Sequence, residues 1–348
     1  MKLAPNMRAY MALLNHRAYS HDASQDRFLD KMSEILVKRG FACFRDTYGN
    51  LLAERKRTQE YVPLVIAHVD INQPVGFPTP VEADGWIVGI QNGVQKGLGH
   101  DDRAGVYFAL QVSETEMECK IILTKDEEIG AIGAGKLPRE FFTDVSICIQ
   151  LDRRGSSDIS DWTNGVEVVS AEFKTKIKSL LKKYNYAFTT CMFTDVGELK
   201  AALRVDMCCM NISCGYYNEH FDSERLNWNQ YVNACNFGFS ILTLCGKEKQ
   251  EHQPVVYKPK YNYSYGSGSY SSRGTAPARN QYWEYDPETK RILFLGGEEE
   301  ELEDELESGR LPALTQECQH CGDGHATWNS YWQAFVCPEC REEIGNFI

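Results

Sequence analysis

Four runs of apolar residues constrain the fold of this chain more than any other feature of its sequence. VPLVIAHV, CKIILT, VSICIQL and VDMCCMNIS are apolar on both faces, which is typical of central strands in a parallel sheet. The segments AGVYFALQVS, AEFKTKIKSLLKKY and NQYVNACNFGFSILTLCG have the pattern of helices packed on such a sheet. Upstream, a capped amphipathic helix ends at Gly40 and a hairpin turns at YGN. The sequence therefore predicts an α/β, three-layer domain with a mixed, mostly parallel central sheet.

Residues with metal-ligating side chains follow these strands. Because the carboxyl ends of parallel strands meet at one edge of the sheet, the side chains should converge there. Each fragment alone has an ordinary structural explanation, since DD usually marks a turn and EE at a helix start complements the helix dipole. Together they concentrate negative charge that only cations can neutralise. The residues are His68, Asp70, Asp126, Glu127, Glu128, Asp152 and His220, joined by Asp101 of GLGHDDRAG.

The chemistry of zinc accounts for the two adjacent aspartates of GLGHDDRAG. Zinc accepts imidazole nitrogen and carboxylate oxygen, and two ions about 3.5–4 Å apart need a shared carboxylate. One aspartate of the pair can supply it, and the other, with Arg103 and Gly105, can hold the turn and begin the helix. Asp70, two residues beyond His68 on an extended chain, projects to the same side and can accept the second imidazole N–H.

These fragments also resemble a known family. AHVD, GLGHDDRAG, TKDEEIGAIGA, LDRRG and NISCGYYNEHFDSE, with DTYGNL upstream, resemble the co-catalytic zinc exopeptidases. That superfamily includes leucyl and glutamyl aminopeptidases, peptidase T, aminoacylase and zinc carboxypeptidases of the same fold. The resemblance spans about residues 20 to 245. It implies a metal-dependent hydrolase that acts on peptides or amino-acid-derived substrates.

The resemblance implies a role for each residue of the site. Two Zn²⁺ ions, for which Co²⁺ or Mn²⁺ could substitute, would lie at the sheet edge. Glu127 would be the general base, which takes a proton from water and returns it to the departing nitrogen. The implied ligands are Asp101 as the bridge between the ions, His68 and Asp152 for one ion, and Glu128 and His220 for the other.

Substrate recognition depends on whether a lid is present. Peptidase T, aminoacylase and the carboxypeptidases carry a lid domain after the residue that matches Asp152. Here only 67 residues separate Asp152 from His220, and their pattern is that of core strands and helices. Loops at the sheet edge must then bind the substrate, and acidic residues there would attract a free α-ammonium group. We therefore expect an aminopeptidase; these acidic residues are Asp126, Glu219, Asp222 and Glu224.

Two other functions stay open at this point. The same site could serve an amidohydrolase of N-acyl amino acids or dipeptides, or a carboxypeptidase. Alternatively, the chain could be a catalytically inactive peptidase-like adaptor that binds a protein partner through its C-terminal region. The presence of all five implied ligands and of Glu127 argues against an inactive protein, because a decayed site needs none of them.

The cysteines fall into two groups. Cys318, Cys321, Cys337 and Cys340 form two C-x2-C pairs around a short aromatic hairpin, a pattern that predicts a zinc ribbon with one structural Zn²⁺. The ribbon region is acidic, which disfavours nucleic acid and favours a protein contact or stabilisation of the tail. The other nine cysteines lie scattered in apolar runs, as in a reducing, cytoplasmic compartment.

Composition predicts three regions along the chain. We expect a catalytic domain without a lid at residues 1–247, a linker at 248–312 and the ribbon at 313–348. The linker combines a Tyr/Ser/Gly-rich stretch, a small hairpin around DPET and the acidic run EEEELEDELE, which accounts for −8 of the net charge of −12. No apolar stretch has the length of a membrane span, so a soluble protein is expected.

Overall fold

The computed structural model describes residues 2–72, 76–163, 165–191 and 194–253, together with four short strands nearer the C-terminus. Contacts between Cα atoms divide the chain into two compact units, Met1–Pro259 and Lys260–Ile348. The linker and the four ribbon cysteines fall largely outside the described residues.

The larger unit is built on a mixed sheet with the strand order β1-β2-β7-β3-β8-β12-β9-β10, in which β11 pairs with β9. Its centre, β7-β3-β8-β12, is parallel, and antiparallel pairs flank it on both sides. The strands are β1 (Phe41–Arg45), β2 (Leu51–Arg55), β3 (Val62–His68), β7 (Lys120–Thr124), β8 (Val145–Arg153), β9 (Asp158–Thr163), β10 (Val166–Glu167), β11 (Ala187–Thr190) and β12 (Cys209–Ser213).

Helices cover both faces of this sheet. Val65 and Ala67 of β3 face the larger core cluster, whereas Leu64 and Ile66 face a smaller cluster on the opposite side. This alternation makes three layers, and it confirms the predicted fold class. The helices are α1 (Met7–Leu14), α2 (Ser24–Lys38), α3 (His100–Ser113), α4 (Ala171–Lys176), α5 (Lys178–Tyr184), α6 (Asp195–Ala201) and α7 (Trp228–Cys245), with 3-10 turns at Ala134–Lys136 and Arg139–Phe142.

A second, smaller sheet was not predicted from the sequence. Its strands have the order β13-β14-β5-β4, and β6 also pairs with β5. The turn between β13 and β14 carries His220, so this sheet positions one of the expected metal ligands. The strands are β4 (Thr79–Ala83), β5 (Trp86–Gln91), β6 (Val94–Lys96), β13 (Tyr216–Tyr217) and β14 (Arg225–Asn227).

The chain continues to pack on the larger unit beyond the boundary predicted at residue 247. The backbone of Gln250 donates to Ser146 O at 2.8 Å and accepts from Cys208 N at 2.7 Å. The backbone of His252 donates to Asp206 O at 3.0 Å and accepts from the buried amine of Lys200 at 2.9 Å. These bonds tie residues 250–252 to the edge of the core.

The second unit contributes two described hairpins. β15 (Trp283–Asp286) pairs antiparallel with β16 (Arg291–Phe294), where the sequence predicts a hairpin around DPET. β17 (Thr327–Asn329) pairs antiparallel with β18 (Ala334–Val336), between the two C-x2-C pairs. Cys318, Cys321, Cys337 and Cys340 lie outside the described residues, so the zinc ribbon stays a prediction.

Hydropathy gives no sign of a transmembrane helix in the described part of the chain. None of its helices combines the length and the apolar character that crossing a bilayer requires.

Candidate metal centre

The carboxyl ends of the parallel strands bring the predicted site residues together. His68 ends β3, and Asp152 lies one residue before the end of β8. Glu127 and Glu128 follow β7, and Asp101 lies at the start of α3. The strand order explains this convergence, because β7 and β8 flank β3 on either side.

Two imidazoles face opposite oxygens of one aspartate. His68 Nε2 lies 3.0 Å from Asp101 Oδ1, and His220 Nε2 lies 3.4 Å from Asp101 Oδ2. The same nitrogen of each imidazole lies near a second carboxylate: Asp152 Oδ1 is 3.5 Å from His68 Nε2, and Glu128 Oε2 is 2.8 Å from His220 Nε2. The five side chains thus form two groups that share Asp101.

The donor atoms fit metal ions better than they fit one another. Zinc–ligand distances of about 2.0–2.1 Å put the edges of a tetrahedral site at roughly 3.3 Å, close to the separations within both groups. His220 Nε2 and Glu128 Oε1 are buried without a hydrogen-bond partner among the described residues, even though His220 and Glu128 are adjacent. His68 Nε2 is at hydrogen-bond distance from Asp101 Oδ1, but the convergence of two imidazoles and three carboxylates is suited to common cations.

The pKa shifts at the site also favour the binding of cations. Burial lowers the pKa of the His68 imidazole. The neighbouring carboxylates of Asp152, Asp101 and Asp70 outweigh this effect and raise the pKa well above its usual range. Burial also raises the pKa of Glu128 and of Asp152, and the negative charge of Asp101 adds to both shifts. Buried carboxylates held this close together are stabilised when cations bind between them.

Asp70 has more contacts than the sequence predicts. His68 Nδ1 lies 3.0 Å from the Asp70 carbonyl oxygen and 3.5 Å from its Oδ1, consistent with the predicted support of the imidazole. The Asp70 carboxylate also accepts from the backbone N–H groups of Glu127 and Glu128, at 3.0 and 3.1 Å, and from Ser20 Oγ at 2.8 Å. Asp70 therefore orients an imidazole and fixes the turn that carries both glutamates.

Asp102 holds the turn, as predicted. Its Oδ2 accepts from His68 N at 3.3 Å and its Oδ1 accepts from Gly105 N at 2.7 Å. The peptide bond between Asp101 and Asp102 is cis. A Cβ at position 105 would clash with the Asp102 carboxylate, which explains the glycine. Two sets of donor atoms lie within 4.8 Å of one another: His68, Asp101 and Glu128, and His68, Asp102 and Asp152. Backbone N–H groups occupy both Asp102 oxygens, so Asp101 is the better donor.

Asp152 lies in a polar network that sequence reasoning missed. Gln150 Nε2 donates to Asp152 Oδ2 at 3.0 Å, and Tyr216 OH donates to Asp152 Oδ1 at 3.2 Å. Asn211 accepts from the Asp152 backbone N–H and donates to its carbonyl oxygen. The available signal was the pair of polar residues, Gln150 and Asn211, inside otherwise apolar strands.

Glu127 lies beside the two groups. Its Oε2 is 3.9 Å from His68 Nε2, too far for a hydrogen bond. Burial raises the pKa of Glu127 well above its usual range, opposed by His68 and reinforced by Asp152 and Asp195. The side chain is 12% exposed, so it faces the site with limited access to water.

The acidic residues expected to attract an α-ammonium group are mostly engaged elsewhere. Asp126 accepts from Tyr48 OH and from the Gln25 amide, and Asp222 pairs with a lysine, Lys96. Two others complete the set: the Glu224 carboxylate accepts three backbone N–H groups, and Glu219 pairs with Arg154 at 2.5 Å. Two of these oxygens, Glu219 Oε2 and Asp222 Oδ1, are buried without a hydrogen-bond partner among the described residues, and Glu219 directly precedes His220. The expected diffuse negative edge is therefore largely neutralised by these contacts.

Several solved structures of similar fold are peptidases. Aminopeptidase PepT from Bacillus cereus superposes with a TM-score of 0.57 at 13% identity, covering 68% of this chain and 97% of that one. A tripeptidase from Staphylococcus aureus gives 0.55 at 12% identity (69% and 96%), and an aminopeptidase from the archaeon Desulfurococcus kamchatkensis gives 0.53 at 14% identity (70% and 96%). At these identities the likeness shows a shared fold, the one that the sequence resemblance implied. No protein-family model and no curated protein matches the chain.

Proposed function

We propose that this protein is a metal-dependent peptidase, specifically a di-zinc aminopeptidase. The observation that carries the proposal is the shared aspartate, whose two carboxylate oxygens face the imidazoles of His68 and His220. The fold it shares with aminopeptidases and a tripeptidase supports the same conclusion.

The donor set divides into two metal sites. We assign His68, Asp101 and Asp152 to one ion, and Asp101, Glu128 and His220 to the other. Zinc bound there would supply Lewis-acid chemistry, which polarises a carbonyl group and lowers the pKa of water.

Residues of the chain itself carry the proton transfer. Glu127 is buried beside the ligands and makes no hydrogen bond to His68, so its carboxylate can take a proton from the attacking water and deliver it to the departing nitrogen. Asp70 positions Glu127 through the Glu127 backbone N–H. We assign recognition of the substrate's free α-ammonium group to Glu219 Oε2, beside His220.

The test combines metal analysis with matched peptides. We expect about three zinc ions per full chain, two at the sheet edge and one in the predicted ribbon. Glu127→Gln should abolish turnover and leave zinc content and thermal unfolding unchanged, because the amide keeps the shape but cannot accept the proton. Glu140→Gln, at an exposed glutamate, is the matched control.

Peptides with blocked ends separate the candidate activities. Cleavage of a C-amidated peptide but not of its N-acetylated counterpart supports the aminopeptidase. Cleavage of the N-acetylated peptide alone favours the acylase or carboxypeptidase. A zinc-loaded protein that cleaves neither, or a Glu127→Gln variant of normal activity, contradicts the proposed mechanism.

A further inference from the structure

A groove lies beside α2, next to the chain segment that contacts Asp70 through Ser20. It lies between the first turns of α2 and the preceding segment, encloses about 340 Å³ and is lined in part by Tyr19 and by Phe77, which is 78% exposed. Its segment continues directly to the centre, because Ser20 donates to Asp70 and Asp70 contacts His68. The groove and the metal centre thus share one stretch of chain.

The groove face of α2 is positively charged. Arg27 and Lys31 are four residues apart, one helical turn, and both line the groove. Asp26 and Asp30 of the same helix lie outside it, and each forms an ion pair with a basic residue of a neighbouring element. The acidic residues of α2 therefore do not neutralise the two cations in the groove.

Arg17 adds a third cation with an unused donor. Its Nη1 donates to Leu98 O at 2.7 Å, but its Nη2 is buried and has no hydrogen-bond partner among the described residues. Asp22 lines the groove as well, and its carboxylate lies 4.0 Å from Arg27 in an exposed pair, which water and salt screen. The groove thus has three cationic side chains and one carboxylate.

His16 acts as a neutral acceptor in the same groove. Lys31 Nζ lies 2.6 Å from His16 Nε2. Burial lowers the pKa of His16, and the positive charges of Lys31 and Arg103 lower it further. The contact therefore holds the ammonium group of Lys31 within the groove instead of neutralising it.

We propose that this groove is a carboxylate-binding subsite for peptide substrates of the metal centre. Guanidinium groups bind carboxylates through paired, charge-assisted hydrogen bonds, and the exposed guanidinium of Arg27 lies one helical turn from the ammonium group of Lys31 in the groove. The exposed ring of Phe77 offers an apolar contact for the aliphatic part of the same residue. The inference rests on the proposed function. It adds that the enzyme prefers short peptides that carry a carboxylate some residues from the cleaved bond over peptides without one.

The carboxylate has two sources, the C-terminus of a short peptide or an acidic side chain. The experiment uses one extended pentapeptide, roughly 17 Å long, in three forms: free C-terminus with neutral side chains, C-amidated with one Glu, and C-amidated with Gln in its place. Binding is measured by fluorescence anisotropy of labelled peptides on the full-length Glu127→Gln protein, and hydrolysis by kcat/KM on the native protein.

The variant Arg27→Gln/Lys31→Gln removes two exposed groove cations, and Lys182→Gln/Lys183→Gln removes the same charge from α5 as a control. We expect the groove variant to weaken binding of carboxylate-bearing peptides about tenfold and to lower their kcat/KM through KM, leaving kcat and the amidated Gln peptide unaffected. A loss confined to the free C-terminus, or to the Glu peptide, identifies the source.

The outcomes separate this inference from the proposed function. Charge-dependent binding through the groove without hydrolysis supports the subsite and contradicts the peptidase. Hydrolysis with equal binding of all three peptides, or equal losses in the groove and control variants, overturns the subsite. A protein that binds none of the peptides overturns it as well.

Discussion

One buried carboxylate, Glu224, connects two of the candidate ligands. Its Oε2 accepts from the backbone N–H groups of Leu98 and Gly99, both at 2.7 Å, and its Oε1 accepts from that of Asp101 at 3.3 Å. Burial raises the pKa of Glu224 to about 8, opposed by these N–H donors. Because Glu224 lies four residues after His220, it links the His220 turn to the backbone that presents Asp101.

Replacing Glu224 with Gln tests this link. The amide group of Gln places N–H donors against backbone N–H donors, so at least one buried group loses its partner, at about 1–3 kcal/mol. We expect a thermal midpoint lower by several degrees and weaker binding of the ion assigned to Asp101, Glu128 and His220, measured by calorimetric zinc titration. Asp222→Asn, at a half-exposed ion pair, is the control, and equal effects of the two variants would contradict the link.

At the same scale, the sequence predicted the residues that converge at the sheet edge but not the residues that support them. His68, Asp101, Glu128, Asp152 and His220 fall in motifs that are local in sequence. The residues that support these side chains are distant from them in the sequence. Glu224 accepts from Gly99, 125 positions away, and Tyr216 donates to Asp152, 64 positions away. Such pairs form only once the sheets are assembled, so a local pattern carries no trace of them.

Among the elements, α1 has a supporting role that the sequence did not predict. Tyr10 OH lies 2.7 Å from Nδ1 of His100, whose Nε2 is 3.1 Å from Ile87 O. Since the carbonyl oxygen can only accept, Nε2 carries the proton and Nδ1 accepts from Tyr10. Burial lowers the pKa of His100 to about 3, so the ring is neutral. α1 thus braces the residue that directly precedes Asp101.

Tyr10→Phe measures the contribution of this contact. It removes the hydroxyl donor and leaves His100 Nδ1 buried without a partner, at about 1–3 kcal/mol. For a unit of this size, each kcal/mol lowers the midpoint of thermal unfolding by roughly 2–4 °C. Tyr217→Phe, at a partly exposed hydroxyl that donates to Gln230, should change the midpoint by less. Equal midpoints for Tyr10→Phe and the native protein would show that α1 does not support the turn.

Elements differ in how far the sequence predicted them. β3, β7, β8 and β12 were predicted because burial on both faces requires unbroken apolar runs. The smaller sheet was missed because its strands are short and none of them is buried throughout; β4, for example, is exposed at four of its five positions. The helix predicted at 171–184 is interrupted at Ile177, where the backbone leaves the helical region between α4 and α5.

At the scale of the whole molecule, the C-terminal boundary of the larger unit determines whether that unit can be isolated. All residues assigned to the two metal ions precede Gly246, and composition changes after it, which suggests that truncation there would leave an active domain. The structure extends the compact unit to Pro259. The difference matters because residues 250 and 252 form hydrogen bonds with the core.

Two truncations distinguish these boundaries. A chain of residues 1–246 would leave the Cys208 N–H, the Ser146 and Asp206 carbonyls and the buried amine of Lys200 without their present partners, and water can reach only some of them. With about 1–3 kcal/mol for each buried group left unpaired, we expect residues 1–246 to unfold at least about 5 °C below residues 1–259.

Residues 1–259 should fold, bind about two zinc ions and cleave peptides as the full chain does. Lys200→Met in residues 1–259, which removes the bonds from the Lys200 amine to the His252 and Val205 carbonyls, should have a midpoint between the two. Equal midpoints and activities for both truncations would show that residues 247–259 add nothing to the unit.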